Sequence, residues 1–288
     1  MEENLNEKIY IQLKRIADSL DKTSTANKIE KKIDINANCF IWDAKSYSLQ
    51  PVENFTYIDI SLLKGVEYQS KVLLNNTINF KNNLSANNVL LWGSRGTGKS
   101  SLVKSIFAKV LKNSSNDICL IEIHKEELNT LSDLLSLLKR IDKKFIIFCD
   151  DLSFEKQDKS FKSLKTLLDG SIEAKPKNII FYATSNRRHL IDRSLEKNNS
   201  FISETETMDE NVSLSDRFGI WLGFHSIDQI TYLKIIESYA LFFKLNNSNF
   251  DINKDALEWA VQRGSRSGRV AWQYIMHLAA KMEKKLNL

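Results

Sequence analysis

Residues 88–102 read Asn88-Val89-Leu90-Leu91-Trp92-Gly93-Ser94-Arg95-Gly96-Thr97-Gly98-Lys99-Ser100-Ser101-Leu102. Val89–Trp92 is a short apolar run that stops at a glycine, which predicts a strand running into a turn. Gly93 to Ser100 matches G-x-x-x-x-G-K-[ST] at every fixed position, and Leu102–Leu111 carries a helical pattern. This strand–loop–helix order is the context the motif requires. Glycines let the main chain wrap closely round phosphate with its N–H groups turned inward. The helix N-terminus adds partial positive charge at the same place. In this reading Lys99 reaches the β- and γ-phosphates of ATP and the Ser100 hydroxyl ligates Mg²⁺. Arg95 and Ser101 belong to the same nucleotide-binding set. The competing reading is a Gly-rich turn without a ligand, and it leaves the flanking elements and the carboxylates below unexplained.

Downstream, apolar runs recur at Ile118–Ile123, Phe145–Cys149, Ile179–Ala183 and Ile220–Phe224, with helical stretches between. Continuous apolar runs of this kind predict a parallel sheet covered on both faces. Ligands in such sheets bind at the carboxyl ends of the strands. The third run ends in Asp150-Asp151, which sets Asp150 beside the Mg²⁺ and Asp151 beside an attacking water; a pair of helix N-cap acids is the alternative. The fourth ends in Thr184-Ser185-Asn186, so Asn186 is a candidate to hold that water, a plain strand-to-turn exit being the alternative. After Ser226 three helical patterns follow, near 228–243, 254–262 and 269–285.

Upstream, Leu5, Ile9, Leu13, Ile16 and Leu20 recur in steps of three and four, one apolar stripe on a helix. That helix either packs on its own domain or meets a partner. Residues 21–30 read as a polar linker, and Ile33 to Ile60 as short strands or irregular structure. The expected division is 1–50 for an N-terminal helix and extension, 51–225 for the α/β nucleotide-binding domain and 226–288 for a helical lid.

Composition narrows the classes. The 288 residues are 42% hydrophobic and 27% charged, within the globular range. No apolar run reaches the ~18–20 residues that span a bilayer, so no membrane partner is expected. The opening MEENLNEKIY is acidic and polar, unlike a signal peptide, and cytoplasmic location is the default expectation. Cys39, Cys119 and Cys149 are far apart and form no C-x-x-C pair, which argues against disulfides and zinc. The net charge of +5 is compatible with a nucleic-acid partner without selecting one, since the charges are scattered.

These segments resemble the AAA+ ATPase superfamily and, more narrowly, an uncharacterised bacterial family of predicted AAA+ proteins. The narrower likeness rests on NNVLLWGSRGTGKSSLVK, FIIFCDDLSFE, FYATSNRRHL, SLSDRFGIWLGF and RGSRSGRVAWQY. The resemblance implies a P-loop NTPase-type sheet with a C-terminal helical lid. It implies that Gly93–Ser100 is the Walker A loop, Asp150 the Mg²⁺-side acid, Asp151 the catalytic carboxylate and Asn186 the sensor-1 residue. Arg217 is placed like an arginine finger that reaches a neighbouring subunit's ATP, which implies a homo-oligomer. Arg269, or alternatively Arg266, is placed like the sensor-2 arginine, and Ile58–Val66 like the segment that packs round adenine. Each arginine has a surface salt bridge as its competing reading.

Two departures stand out. Asp151 replaces the usual glutamate and is one methylene shorter. The loop at His124-Lys125-Glu126-Glu127-Leu128 lacks the aromatic of polypeptide-threading motors, which disfavours threading, although Phe154 stands nearby. The expected function is an ATPase that remodels an unidentified partner complex. A nucleotide-controlled switch with slow hydrolysis and a DNA-associated ATPase similar to helicase loaders are the alternatives.

Overall fold

The computed structural model describes residues 12–15, 37–112, 117–154, 163–165, 168, 176–188, 190, 216–245 and 251–286. Apart from Leu13, the stripe of the expected N-terminal helix lies outside the described residues, as does the linker at 21–30.

Each apolar run becomes a strand: β3 (Val89–Gly93), β4 (Ile118–Glu122), β5 (Lys144–Cys149), β6 (Ile179–Ser185) and β7 (Ile220–Phe224). All five are mutually parallel where they pair. Two further strands extend the sheet. β1 (Cys39–Asp43) pairs parallel with β4, and β2 (Ser48–Pro51) closes a hairpin against β1. The order is β2-β1-β4-β5-β6-β3-β7. The expected boundary at residue 50 therefore falls inside β2. Phe40 and Trp42 explain the difference: both are buried in the sheet's core, and Trp42 Nε1 donates to Thr130 Oγ1 at 2.8 Å.

Alternate strand residues point to opposite faces, and here both faces are covered. Phe145, Ile147 and Cys149 of β5 pack with Leu131, Leu134 and Leu138 of helix α3 (Leu131–Leu138). Ile146 and Phe148 pack on the other face, with α1 (Glu67–Lys81) and α2 (Lys99–Lys112) supplying Leu73, Phe80, Leu102, Ile106 and Phe107. At ~1.5–3 kcal/mol per fully buried large apolar side chain, this two-sided burial fixes the strands' depth and register.

Among the described residues three helices follow β7: α4 (Gln229–Phe242), α5 (Ile252–Gln262) and α6 (Gly268–Lys281). Asp228, Asp251 and Ser267 cap their N-termini by accepting main-chain N–H bonds. They share a separate core of Tyr232, Ile236, Tyr239, Ala271, Tyr274 and Ile275, into which Leu62 inserts from a 3-10 turn at Ile60–Leu62. Leu62 thus ties the helical unit to the sheet domain. Among the described residues no helix is long and apolar enough to cross a membrane.

Candidate functional site

The loop after β3 turns under the carboxyl edge of the sheet. Gly93 has φ +133°, and a Cβ there would lie 1.9 Å from the Phe224 carbonyl oxygen of the neighbouring strand. Only glycine fits that approach. Ser94 N–H donates to Phe224 O at 3.0 Å, and Thr97 Oγ1 donates to Ser94 O at 2.8 Å. Gly93, Ser94 and Thr97 therefore hold the loop from behind. Arg95, Gly96, Gly98, Lys99, Ser100 and Ser101 line a cavity of about 620 Å³.

Lys99 stands at the start of α2 and is 7% exposed. Its ammonium donates to Gly93 O at 2.8 Å, Ser94 O at 2.7 Å and Asn186 Oδ1 at 3.2 Å. Burial holds its pKa below the usual lysine value of 10.5, against the opposing pull of Asp150 and Asp151. An anion entering the cavity would offset that penalty by pairing with the charged form.

The two carboxylates come from the turn after β5. Ser100 Oγ donates to Asp150 Oδ1 at 2.5 Å, and Thr184 Oγ1 donates to the same oxygen. Asp151 has φ +52°; its N–H donates to Thr184 Oγ1 at 2.9 Å, and its carboxylate accepts from Asn186 Nδ2. Asp150, Asp151, Thr184 and Asn186 all line the same cavity as Lys99. Sequence reasoning does not single out Thr184. It is 1% exposed and joins both acids through one hydroxyl. The one available signal is its position: a hydroxyl residue near the end of an otherwise apolar strand.

The helical unit forms the opposite wall. Gly268 N–H donates to Gly96 O at 2.7 Å, and a Cβ on Gly96 (φ +71°) would lie 2.8 Å from Ser267 Cβ. The start of α6 is thereby seated on the loop. Tyr239, Arg269 and Trp272 line the cavity from this side, with Ile58 and Leu63 from the segment before α1. Arg266 is not among the lining residues, whereas Arg269 is. Arg217 does not line this cavity either; it lies just before β7, at the amino edge of that strand.

Two other expectations meet the structure. Phe154 is 2% exposed in the sheet core, with its N–H bonded to Leu190 O at 2.8 Å, so it presents no aromatic for threading. All three cysteines are buried, and burial raises Cys119 to about 11 and Cys149 to about 12. Both are inert thiols at neutral pH.

The residues fit a nucleotide and Mg²⁺. The cavity has a buried cation, glycines and a helix N-terminus at one end, and apolar and aromatic side chains at the other. Ser100 and Asp150 present hard oxygen donors side by side. Among the described residues no cluster of three or more His, Cys, Asp or Glu is arranged for a metal. Mg²⁺ suits this pair, because it commonly takes only one or two carboxylates and completes its shell with water and phosphate oxygens.

A parallel sheet with a phosphate-type loop at its carboxyl edge and a three-helix unit over that loop defines the AAA+ fold. The chain belongs to the family described as "Protein of unknown function (DUF815)", which matches residues 35–282. The sequence matches none of the curated proteins compared with it. Among solved structures, the Aeropyrum pernix ORC1 protein in complex with DNA is 14% identical, with 81% of this chain and 71% of that one covered and a TM-score of 0.52. A point mutant of Thermotoga maritima RuvB is 16% identical, with 76% and 65% covered and a TM-score of 0.50. A further Thermotoga maritima RuvB, described as a Holliday junction branch migration motor, is 13% identical, with 76% and 82% covered and a TM-score of 0.44. At such identities the likeness is one of fold.

Proposed function

We propose that this chain binds ATP with Mg²⁺ in the cavity between the loop, the carboxyl edge of the sheet and the helical unit, and hydrolyses it. One observation carries the reading: Lys99, the Ser100–Asp150 pair and the Asp151–Asn186 pair converge on one cavity whose far wall bears Arg269 and Trp272. The loop N–H groups and Lys99 receive the β- and γ-phosphates. Ser100 and Asp150 would hold Mg²⁺, which would supply positive charge to offset that of the phosphates. Asp151 accepts a proton from the attacking water, and Asn186 holds Asp151 and Lys99 in register. Arg269 reaches the phosphates from the helical unit, so nucleotide binding and lid position are coupled. Ile58, Leu63, Tyr239 and Trp272 surround the base.

Arg217 acts on the ATP of a neighbouring copy, so activity requires assembly. The work done is remodelling of a partner complex. A nucleotide-controlled switch with slow hydrolysis is the second reading, favoured by the shorter Asp151 carboxylate. DNA association is a further reading: the net charge of +5 permits it, and the ORC1 structure of like fold holds DNA.

Calorimetric titration with a non-hydrolysable ATP analogue tests the core of the proposal. Wild type binds and Lys99→Met does not; a wild-type chain with no affinity for adenine nucleotides overturns the reading. Turnover per chain rises with protein concentration and falls ~10³-fold or more in Arg217→Ala with analogue affinity retained. Turnover independent of concentration in a monomeric sample refutes the shared site.

A further inference from the structure

A second cavity adjoins the first. It has a volume of about 230 Å³ and shares Arg95, Asp151 and Asn186 with the main cavity, so these three side chains form the wall between the two. Its remaining charged lining is Lys125, half-buried at the start of the turn after β4, and Arg187, just beyond β6. Ser185, fully buried, adds a hydroxyl. Three cationic side chains thus face one carboxylate in a space large enough for several waters. Charge and hydroxyl donors in this ratio recognise a small oxyanion, with arginines suited to bidentate contact.

The direction of the reaction in the main cavity selects the anion. On that reading Lys99 and Asn186 stand at the γ end of a bound triphosphate, and Asn186 also holds Asp151, the acceptor of the attacking water's proton. In hydrolysis the water oxygen forms a bond to the γ-phosphorus as the bond to the β–γ bridging oxygen breaks, the two oxygens lying roughly in line. The electron pair of the broken bond stays on ADP, and the water's proton passes to Asp151 or to the new phosphate. The phosphorus therefore moves away from ADP towards the attacking side, which is the side of Asp151, Asn186 and the second cavity. ADP's terminal phosphate repels the product in the same direction.

We propose that the second cavity is a subsite for inorganic phosphate, which receives the cleaved γ-phosphate before it leaves. This rests on the reading of the main cavity as a hydrolytic nucleotide site. Lys125 and Arg187 are its specific determinants, because neither lines the main cavity.

The test is a calorimetric titration of inorganic phosphate into the full chain saturated with ADP and Mg²⁺. Phosphate binds saturably to wild type. Lys125→Ala and Arg187→Ala each weaken it at least tenfold, while ADP affinity stays within twofold, which also reports an intact fold. Lys125→Arg, which keeps the charge, restores phosphate affinity to within about threefold. A chain that binds ADP but not phosphate, or variants that bind phosphate as wild type does, overturns the subsite alone. A chain that fails to bind ADP overturns the nucleotide reading and the subsite with it.

Discussion

Replacing Thr184 by valine isolates the part played by one hydroxyl, because valine keeps the shape and removes only the oxygen and its proton. Two bonds are lost: the donation to the Asp150 carboxylate, and the acceptance of the Asp151 N–H at 2.9 Å. Thr184 itself is 1% exposed, whereas Asp150 and Asp151 are exposed, so water in the cavity recovers part of what the two acids lose. A hydrogen bond to a charged group contributes ~1.5–3 kcal/mol and a neutral one ~0.5–1.5 kcal/mol, so the two together set an upper bound of roughly 2–4.5 kcal/mol. On the proposed reading both freed groups face the reacting phosphate, and the loss falls on their placement. With ~2.7 kcal/mol of it expressed in the transition state, kcat drops by about 10²-fold. Affinity for ATP changes less than about threefold, since the loop and Lys99 do not touch this hydroxyl. The assay is phosphate release at saturating Mg-ATP, paired with calorimetric binding of an ATP analogue, and Thr184→Ser should recover kcat to within about fivefold. Wild-type turnover in Thr184→Val refutes the argument. Equal losses in the valine and serine variants would also refute it, since packing rather than the hydroxyl would then matter.

The buried Lys99 makes a prediction about pH. Its folded pKa lies below 10.5, so the folded state disfavours the charged form, and this penalty is full below the lowered value. The penalty fades as pH rises through the lowered value towards 10.5. Denaturation midpoints of nucleotide-free Lys99→Met relative to wild type should therefore be most favourable near neutrality and decline at alkaline pH; a constant difference would show that Lys99 carries no such penalty. Gly268→Pro removes the N–H that joins α6 to Gly96 O at 2.7 Å and sets the proline ring against that oxygen, although proline suits the first helical position of α6 itself. Analogue affinity should fall by more than the roughly three- to tenfold of one lost hydrogen bond, since the ring also displaces the loop, with the helical content unchanged by circular dichroism. Unchanged affinity would mean that the seat of the lid on the loop does not contribute to binding.

The sequence made the central strands legible because a strand buried on both faces has little freedom of composition. Phe145 to Cys149 had to be apolar at every position, and so was readable without any alignment. The loop was legible for a related reason: the contact at Gly93 excludes any Cβ. What escaped depends on contacts distant in sequence. Phe40 and Trp42 belong to an alternating pattern only five residues long, and their burial requires β4 as neighbour. Phe154 follows two exposed acids and nothing local marks it as core. Thr184 joins residues 34 and 33 positions away, and its hydroxyl is one of several polar groups at the end of β6. Side chains that organise a site through a single bond to another element leave little trace in periodicity.

Asp151 joins the backbone and the chemistry in one position. The family resemblance implies that it stands where most AAA+ members carry a glutamate. In the structure it takes φ +52°, a left-handed conformation that asparagine and aspartate tolerate far better than longer side chains. The shortness of the side chain and the conformation of the main chain therefore belong together. Asp151→Glu would add the missing methylene and would also place an unsuited residue in that conformation, at ~1 kcal/mol of folding stability. The longer carboxylate would overshoot the Asn186 amide that now holds it. The expected outcome is a chain less stable by that amount in urea denaturation, with turnover no higher than wild type. Asp151→Asn keeps both the conformation and the Asn186 contact, so it should keep stability and analogue affinity while losing turnover. If Asp151→Glu instead raised turnover about tenfold at unchanged stability, carboxylate reach alone would have limited the wild-type site, and the left-handed turn would play no part in the choice of aspartate.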